Sequence, residues 1–358
     1  MSKFHPLTVT DVRQETRDAI VVTFAIAPEL RETYRYTQGQ YLTLRAKLDN
    51  EEVRRAYSIC SAVQDERLRV AIKRNPGGLF SNWANDTLQA GAVVDVMEPM
   101  GTFFTPLDAT NRNHYLAVAA GSGITPMLSI IKSTLSAEPH SRFTLLYGNR
   151  SSSSVMFKDE LAELKDEYLD RFKLVHVLSR EPHDIDLFHG RIDRQRCSDL
   201  FTQWVDLDTV DTAFLCGPAQ MTQDVTDALL AKGFPKANIK AELFAAATPK
   251  RDDKAAPRIV RGNQECDVTL ILDGAHVSFT MEKDKESALD AALKQGIDVR
   301  YSCKAGVCST CRCKVVDGKV DMDANYALED YEVARGFALS CQSFPVTDKL
   351  VLDFDQDH

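Results

Sequence analysis

YLAVAAGSGITPMLSII, residues 115–131, runs for 17 residues without a charge. A helix that crosses a bilayer needs about 20 apolar residues, and Gly121, Gly123 and Pro126 interrupt this run near its middle. The stretch therefore predicts a buried strand, a glycine turn and a buried helix, and no membrane insertion. FTLLYGNR, FKLVHVLS and TAFLCG are further short apolar runs of the kind that strands buried on both faces require. TPMLSIIKSTLSA and SVMFKDELAELKDEY lie between them and read as helices. Strand and helix in alternation predict an α/β layer, a parallel sheet covered by helices, over residues 108–245.

The flanks read differently. In residues 1–107, AIVVTFAI, QYLTLRA, RAYSIC, LRVAIKR and AVVDVMEP are β-branched or alternating runs separated by polar turns, which predicts an antiparallel β-barrel or sandwich. Residues 246–263, AATPKRDDKAAPRIVRGN, are polar, hold two prolines and lack periodicity, and read as a linker. In 264–358, CDVTLILDGAHVSFTM predicts a hairpin turning at Asp273-Gly274, and SALDAALKQG a helix ending at Gly296. The expectation is a multidomain chain, since 358 residues exceed one ordinary core.

Composition narrows the function classes. Hydrophobic content of 44% with 27% charged residues describes a soluble globular protein. A net charge of −9 argues against nucleic acid as the main partner. The opening MSKFHPLTVT lacks the apolar core of a signal peptide, so a cytoplasmic, reducing compartment is expected. Clustered cysteines there favour metal or redox chemistry over disulfides.

The cluster is YSCKAGVCSTCRCKV, residues 301–315. Four residues separate Cys303 from Cys308, two separate Cys308 from Cys311, and 29 lie between Cys311 and Cys341. This is the C-x4-C-x2-C…C spacing of plant-type [2Fe-2S] centres. Three thiolates can reach two irons from one loop only if it wraps tightly. Gly306 can take a positive φ, and Ala305, Ser309 and Thr310 are small. Structural zinc would ordinarily need a second C-x2-C pair. Cys313 falls outside the spacing and reads as a core residue, as do Cys60, Cys197 and Cys266. Residues 264–358 resemble plant-type ferredoxins, which implies an α+β, β-grasp-like domain.

RAYSICS and GGLFSNW contain R-x-Y-S and G-x-x-S in this order, and here the chain resembles the ferredoxin–NADP reductase superfamily. The resemblance implies FAD, with FMN the alternative. Arg55 would pair with the pyrophosphate, Tyr57 lie on the isoalloxazine, and Ser58 bond near its reactive nitrogen. Gly78, Phe80 and Ser81 would form the phosphate-facing turn. Ile72 and Lys73, in VAIK, would run along the ring edge.

Gly121-Ser122-Gly123 stands directly after one predicted strand and before a helix, the context of a pyrophosphate cradle. With Thr125 and Pro126 it reads G-x-G-x-x-P, the superfamily's form of that turn. In the same superfamily Cys216-Gly217-Pro218 would bring its cysteine to the nicotinamide, with Glu242 nearby. Ser58, Cys216 and Glu242 are thus the expected catalytic residues. Arg150, Ser179 and Arg180 resemble positions that hold a 2′-phosphate, which implies NADPH, with NADH the alternative.

FHPLTV, QETRDA, AAGSGITPML, FTLLYGNR, LFHGRID and NYALE resemble the reductase components of bacterial phenylacetyl-CoA epoxidases. The resemblance implies electron flow from NADPH through FAD and [2Fe-2S] to a di-iron oxygenase on other polypeptides. Paired Glu-x-x-His motifs for such a centre do not occur in this chain. The alternatives are a reductase for a steroid, alkane or ring-hydroxylating oxygenase or for the hybrid-cluster protein, a non-enzymatic iron–sulfur sensor, and a free-standing flavin oxidase.

Overall fold

The structure, a computed structural model, describes residues 3–182, 184–244 and 263–356. The linker expected over 246–263 lies outside them except for Asn263. One compact unit spans Phe4–Phe244, and a second carries the C-terminal part of the chain.

The first unit begins with strands β1 (Phe4–Thr16), β2 (Ala19–Phe24), β3 (Tyr41–Leu48), β4 (Glu51–Ser58), β5 (Leu68–Lys73) and β6 (Val93–Met97). Their order is β4-β3-β6-β1-β2-β5, all pairs antiparallel. A bridge between Ile59 and Val70, with Cys60 N donating to Arg69 O at 2.9 Å, joins the two ends into a barrel. Leu7, Val9, Leu42, Leu44, Ile72 and Val96 are buried in its core. Helix α1 (Leu79–Thr87) starts at Gly78, as the GGLFSNW turn predicts.

The long strand β1 escapes the sequence reading. Only Leu7, Val9 and Thr16 along its 13 residues are buried, and it contains Pro6. That proline lies in the half of β1 that pairs with β6 alone, before pairing with β2 begins at Val9. A strand proline is tolerated where one edge of the ladder is open.

The α/β layer follows: β7 (His114–Ala120), α2 (Ile124–Ala137), β8 (Arg142–Asn149), α3 (Lys158–Glu167), β9 (Phe172–Leu178), α4 (Arg194–Gln203), β10 (Thr212–Gly217), α5 (Ala219–Ala231) and β11 (Ile239–Leu243). The sheet is fully parallel, ordered β11-β10-β7-β8-β9. Chain direction across the sheet reverses between β7 and β10, the switch point at which such sheets open a crevice for ligands. Helix α3 starts later than its apolar lead-in suggests. Val155, Met156 and Phe157 stay outside the helix and pack into the core, with Phe157 at φ 57°.

The second unit holds β12 (Glu265–Leu272), β13 (Ala275–Glu282), α6 (Ala288–Lys294), β14 (Arg312–Asp317), β15 (Val320–Met322), α7 (Asp330–Ala334), β16 (Phe337–Leu339), β17 (Ser343–Pro345) and β18 (Lys349–Asp353). Its mixed sheet runs β13-β12-β18-β14-β16, with β12 and β18 parallel, which is the β-grasp arrangement. The β12–β13 hairpin turns where expected. Asp273 and Gly274 both have positive φ, 50° and 75°, as a type I′ turn requires. Ser287 caps α6 by accepting from Asp290 N at 3.2 Å, and Gly296 follows the helix at φ 74°. Among the described residues no helix is long and apolar enough to cross a membrane.

Candidate functional site

The cysteine loop lies between α6 and β14 and is shaped by three left-handed residues, Lys304, Gly306 and Ser309. At Gly306 a Cβ would stand 2.9 Å from the Ala324 carbonyl oxygen, so position 306 lacks room for a side chain as well as requiring positive φ. Cys303 and Cys308 face one another, and so do Cys311 and Cys341, the latter delivered by the turn after β16. Donors surround the sulfurs. Ala305 N reaches Cys303 Sγ at 3.3 Å, Cys303 N reaches Cys308 Sγ at 3.4 Å, and the Thr310 hydroxyl donates to Cys308 Sγ at 3.3 Å. The bond from Cys308, backed by the amides of Ala305, Val307 and Cys308, pulls the Cys303 thiol down to about 6. The bond from Cys311 lowers Cys341 in the same way.

Among the described residues no three His, Cys, Asp or Glu side chains converge on a point that would hold a single ion. Two separate thiol pairs suit two irons, and amides aimed at sulfur stabilise the negative charge of such a cluster. Cys313 is buried on β14 with Sγ 3.6 Å from Ala338 O, in the core as expected. Cys60, Cys197 and Cys266 are buried as well.

In the first unit the end of β4 carries the flavin-motif residues. Arg55 is exposed, with Nη1 donating to Arg54 O at 2.7 Å. Tyr57 packs against Phe80 of α1, ring centroids 5.7 Å apart. Ser81 Oγ accepts from Asn75 N at 3.1 Å and closes the turn at Gly78, leaving the first amides of α1 without partners inside the helix. Ile72 differs from the rest. Its side chain is in the barrel core and its carbonyl accepts from Asn85 Nδ2 at 3.0 Å. Lys73 points away to Asp18, at 3.7 Å.

At the switch point the two glycine turns meet. Gly121, φ 55°, and Ser122 and Gly123 form a single tight turn between β7 and α2, into which Thr125 Oγ1 donates at 2.9 Å to Ser122 O. Pro126 lies in the first turn of α2. A Cβ on Gly123 would overlap the Cys216 carbonyl, so glycine there lets the turn after β7 touch the end of β10. Tyr147, missed in the sequence, holds this turn from β8 by donating to Gly121 O at 2.9 Å. Its partner lies 26 residues away on another element, so the sequence holds no local signal of this role.

Cys216 and Glu242 are partners in the β10–β11 ladder. Ser58 of the barrel donates to Glu242 Oε2 at 3.2 Å, so the three expected catalytic residues come together. Burial pushes the half-buried Glu242 carboxyl up to about 8, against the Ser58 hydrogen bond, which lowers it. Burial and then the Glu242 charge raise the Cys216 thiol. Gly217 and Pro218 lead from β10 into α5.

Exposed Arg150 and Arg180 follow the adjacent strands β8 and β9, where Ser179 N donates to Asn149 O at 2.9 Å and Arg180 N to Arg150 O at 2.8 Å. Glu181, also missed, accepts from Ser152 N at 2.7 Å.

A flavin-type barrel, a nucleotide-type parallel sheet and a thiol-lined β-grasp define a modular oxidoreductase. Comparison agrees in each part. An oxidoreductase FAD-binding domain profile matches residues 6–104, an oxidoreductase NAD-binding domain profile 117–227, and a 2Fe-2S iron-sulfur cluster binding domain profile 270–346. The chain is 47% identical to a component of the 1,2-phenylacetyl-CoA epoxidase of Escherichia coli (strain K12), over 99% of both chains. It is 34% identical to the ferredoxin reductase component of 3-ketosteroid-9-alpha-monooxygenase of Rhodococcus rhodochrous, over 97% of this chain and 96% of that one. Among solved structures, phthalate dioxygenase reductase matches over 98% of both chains at 26% identity, with a TM-score of 0.59. The chain belongs to the family of oxygenase reductase components that includes this 1,2-phenylacetyl-CoA epoxidase component. It is an NAD(P)H-dependent reductase with FAD-, NAD- and [2Fe-2S]-binding domains.

Proposed function

We propose that this chain draws electrons from NADPH and delivers them to the di-iron oxygenase component of a phenylacetyl-CoA epoxidase. The 47% identity along 99% of both chains is the observation that carries this reading. When bound, FAD takes two electrons together as a hydride and lets them go singly to the cluster.

The chain's own residues bind and orient. The Arg55 fork and the free amides at the start of α1 take the flavin pyrophosphate, with Gly78 and Ser81 shaping that turn. Tyr57, braced by Phe80, supplies a flat apolar surface for the ring. Strand β5 contributes backbone at Ile72 and Lys73. The turn Gly121–Gly123 and the start of α2, with Thr125 and Pro126, cradle the pyrophosphate of NADPH. Arg150, Ser179 and Arg180 face its 2′-phosphate. Cys216, with Gly217 and Pro218 behind it, orients the nicotinamide, while Ser58 and Glu242 hold a proton beside the reacting atoms. Cys303, Cys308, Cys311 and Cys341 ligate the irons. We place the domain limits at 1–107, 108–245 and 264–358.

The 34% identity to a steroid monooxygenase reductase supports a second reading, service to another oxygenase. Anaerobic titration with NADPH, followed in the flavin and cluster absorption bands, tests the electron path. Adding purified oxygenase components then tests the acceptor. Turnover with the epoxidase oxygenase alone supports the first reading, and turnover with the steroid oxygenase instead supports the second.

A further inference from the structure

The 2′-phosphate reading above leaves a mechanical question. Arg150 and Arg180 stand on two different loops, and the two backbone hydrogen bonds between those loops end at Arg180. Beyond that point a side chain takes over. Glu181 Oε2 accepts from Ser152 N at 2.7 Å and so ties the segment after β9 to the turn after β8. The turn is braced internally. Ser154 Oγ accepts from Ser151 N at 3.1 Å and donates to Ser151 O at 2.8 Å, and the Ser151 and Ser153 hydroxyls are 3.0 Å apart.

We propose that Glu181 is a positioning residue for NADPH selection: its carboxylate fastens the serine turn to the Ser179-Arg180 segment and sets the spacing of the Arg150 and Arg180 guanidiniums around the 2′-phosphate. This deepens the NADPH reading and rests on it.

An acid beside a phosphate site invites the opposite expectation, that it repels the phosphate and favours NADH. Two observations favour the fastening role. The carboxylate is spent on a backbone amide, and that bond, together with one from the Ser152 side chain, holds it ionised below the ordinary carboxylate range. Repulsion across water at a partly exposed site is weak and screened, whereas a charge-assisted hydrogen bond to a backbone amide is short-ranged and strong.

The test measures KM and kcat for NADPH and NADH in flavin reduction by the full holoprotein, for the parent, Glu181→Ala, Glu181→Gln and Arg180→Ala. Competition by 2′-AMP against 5′-AMP supplies a binding readout without turnover. Glu181→Ala is expected to raise KM for NADPH about tenfold, equivalent to roughly 1.4 kcal/mol, to weaken 2′-AMP alike, and to move KM for NADH far less. Glu181→Gln keeps a carbonyl acceptor for Ser152 N and is expected to restore most of the preference. General damage to the fold would move both nucleotides together and overturn the proposal. So would a shift toward NADPH in Glu181→Ala, which marks the acid as a repeller. An unchanged NADPH/NADH ratio in Glu181→Ala, with a changed one in Arg180→Ala, overturns the fastening role alone. An unchanged ratio in both overturns the 2′-phosphate reading and the fastening role with it.

Discussion

Ser58 and Glu242, 184 residues apart, are joined by a 3.2 Å hydrogen bond from the Ser58 hydroxyl to Glu242 Oε2. One residue ends a barrel strand and the other lies on the last strand of the parallel sheet, so the bond joins the two folds of the first unit where their ligands would meet. Glu242 titrates near 8 because burial disfavours its charge. The reduction of flavin by NADPH is therefore expected to show an ionisation near pH 8. Stopped-flow rates across pH should lose that ionisation in Glu242→Gln. In Ser58→Ala it should move upward, since the Ser58 bond is what lowers it. Stability carries the same sign. The folded carboxyl sits above its ordinary 4.5, so between those pH values the folded state binds more protons than the unfolded one. The contribution of Glu242 to stability then falls as pH rises through that window and is most unfavourable above pH 8. Glu242→Gln should flatten this segment of the stability profile.

That pairing marks the boundary of what the sequence makes legible. The cysteine spacing, the Asp273-Gly274 hairpin and the apolar runs of β7 to β10 are local signals, and local signals survive without knowledge of the fold. Glu242 was only weakly signalled, because its place beside Cys216 follows from the β10–β11 register and its bond to Ser58 from barrel packing. Glu181 and Tyr147 act on backbone groups tens of residues away, and composition carries no trace of that. Strand β1 was missed because it buries few side chains and contains a proline, although it is central to the barrel.

Gly121 and Gly123 belong to one turn but are required for different reasons. Gly121 has φ 55° with open space around its Cα, so alanine there should cost about 1–2 kcal/mol of backbone strain. Gly123 has ordinary dihedrals, yet a Cβ would overlap the Cys216 carbonyl. Backbone cannot rotate away as a side chain can, so Gly123→Ala must push β10 from β7, costing about 1–3 kcal/mol as overpacking does. Chemical denaturation should rank Gly123→Ala as no more stable than Gly121→Ala. Nicotinamide-nucleotide binding should fail more severely in Gly123→Ala, because the displaced strand carries Cys216.

Cys308 shares its pair with Cys303 and accepts hydrogen bonds from Cys303 N and Thr310 Oγ1. On the proposed ligand set, its replacement by serine removes one iron-binding thiolate and sets a shorter side chain opposite those donors. Cys308→Ser is expected to lose the cluster's visible absorption and its iron and inorganic sulfide. Electron transfer from NADPH to an acceptor served by the cluster should be abolished. Flavin reduction by NADPH should persist near the parental rate, since its residues lie in a separate compact unit. Loss of both steps would contradict a modular electron path.

Charge is distributed unequally along the chain. Residues 264–358 contain 18 acidic and 10 basic residues, against 34 and 33 in the remainder, so the iron–sulfur unit carries almost all of the net charge of −9. A surface of one sign speeds encounter with a partner of the other sign, and salt removes that advantage beyond a Debye length of about 10 Å at 0.1 M. Coupled turnover with the oxygenase component is expected to slow on the order of tenfold between low and high ionic strength under limiting oxygenase. Flavin reduction at saturating NADPH should change little, which separates docking from hydride transfer. The opposite outcome is informative about the same surface. Tyr326, Tyr331 and Val333 are exposed on this unit, and apolar contacts are insensitive to screening. A flat salt response would therefore shift recognition from the acidic groups to these side chains, and Tyr331→Ser would then slow coupled turnover without altering its salt dependence.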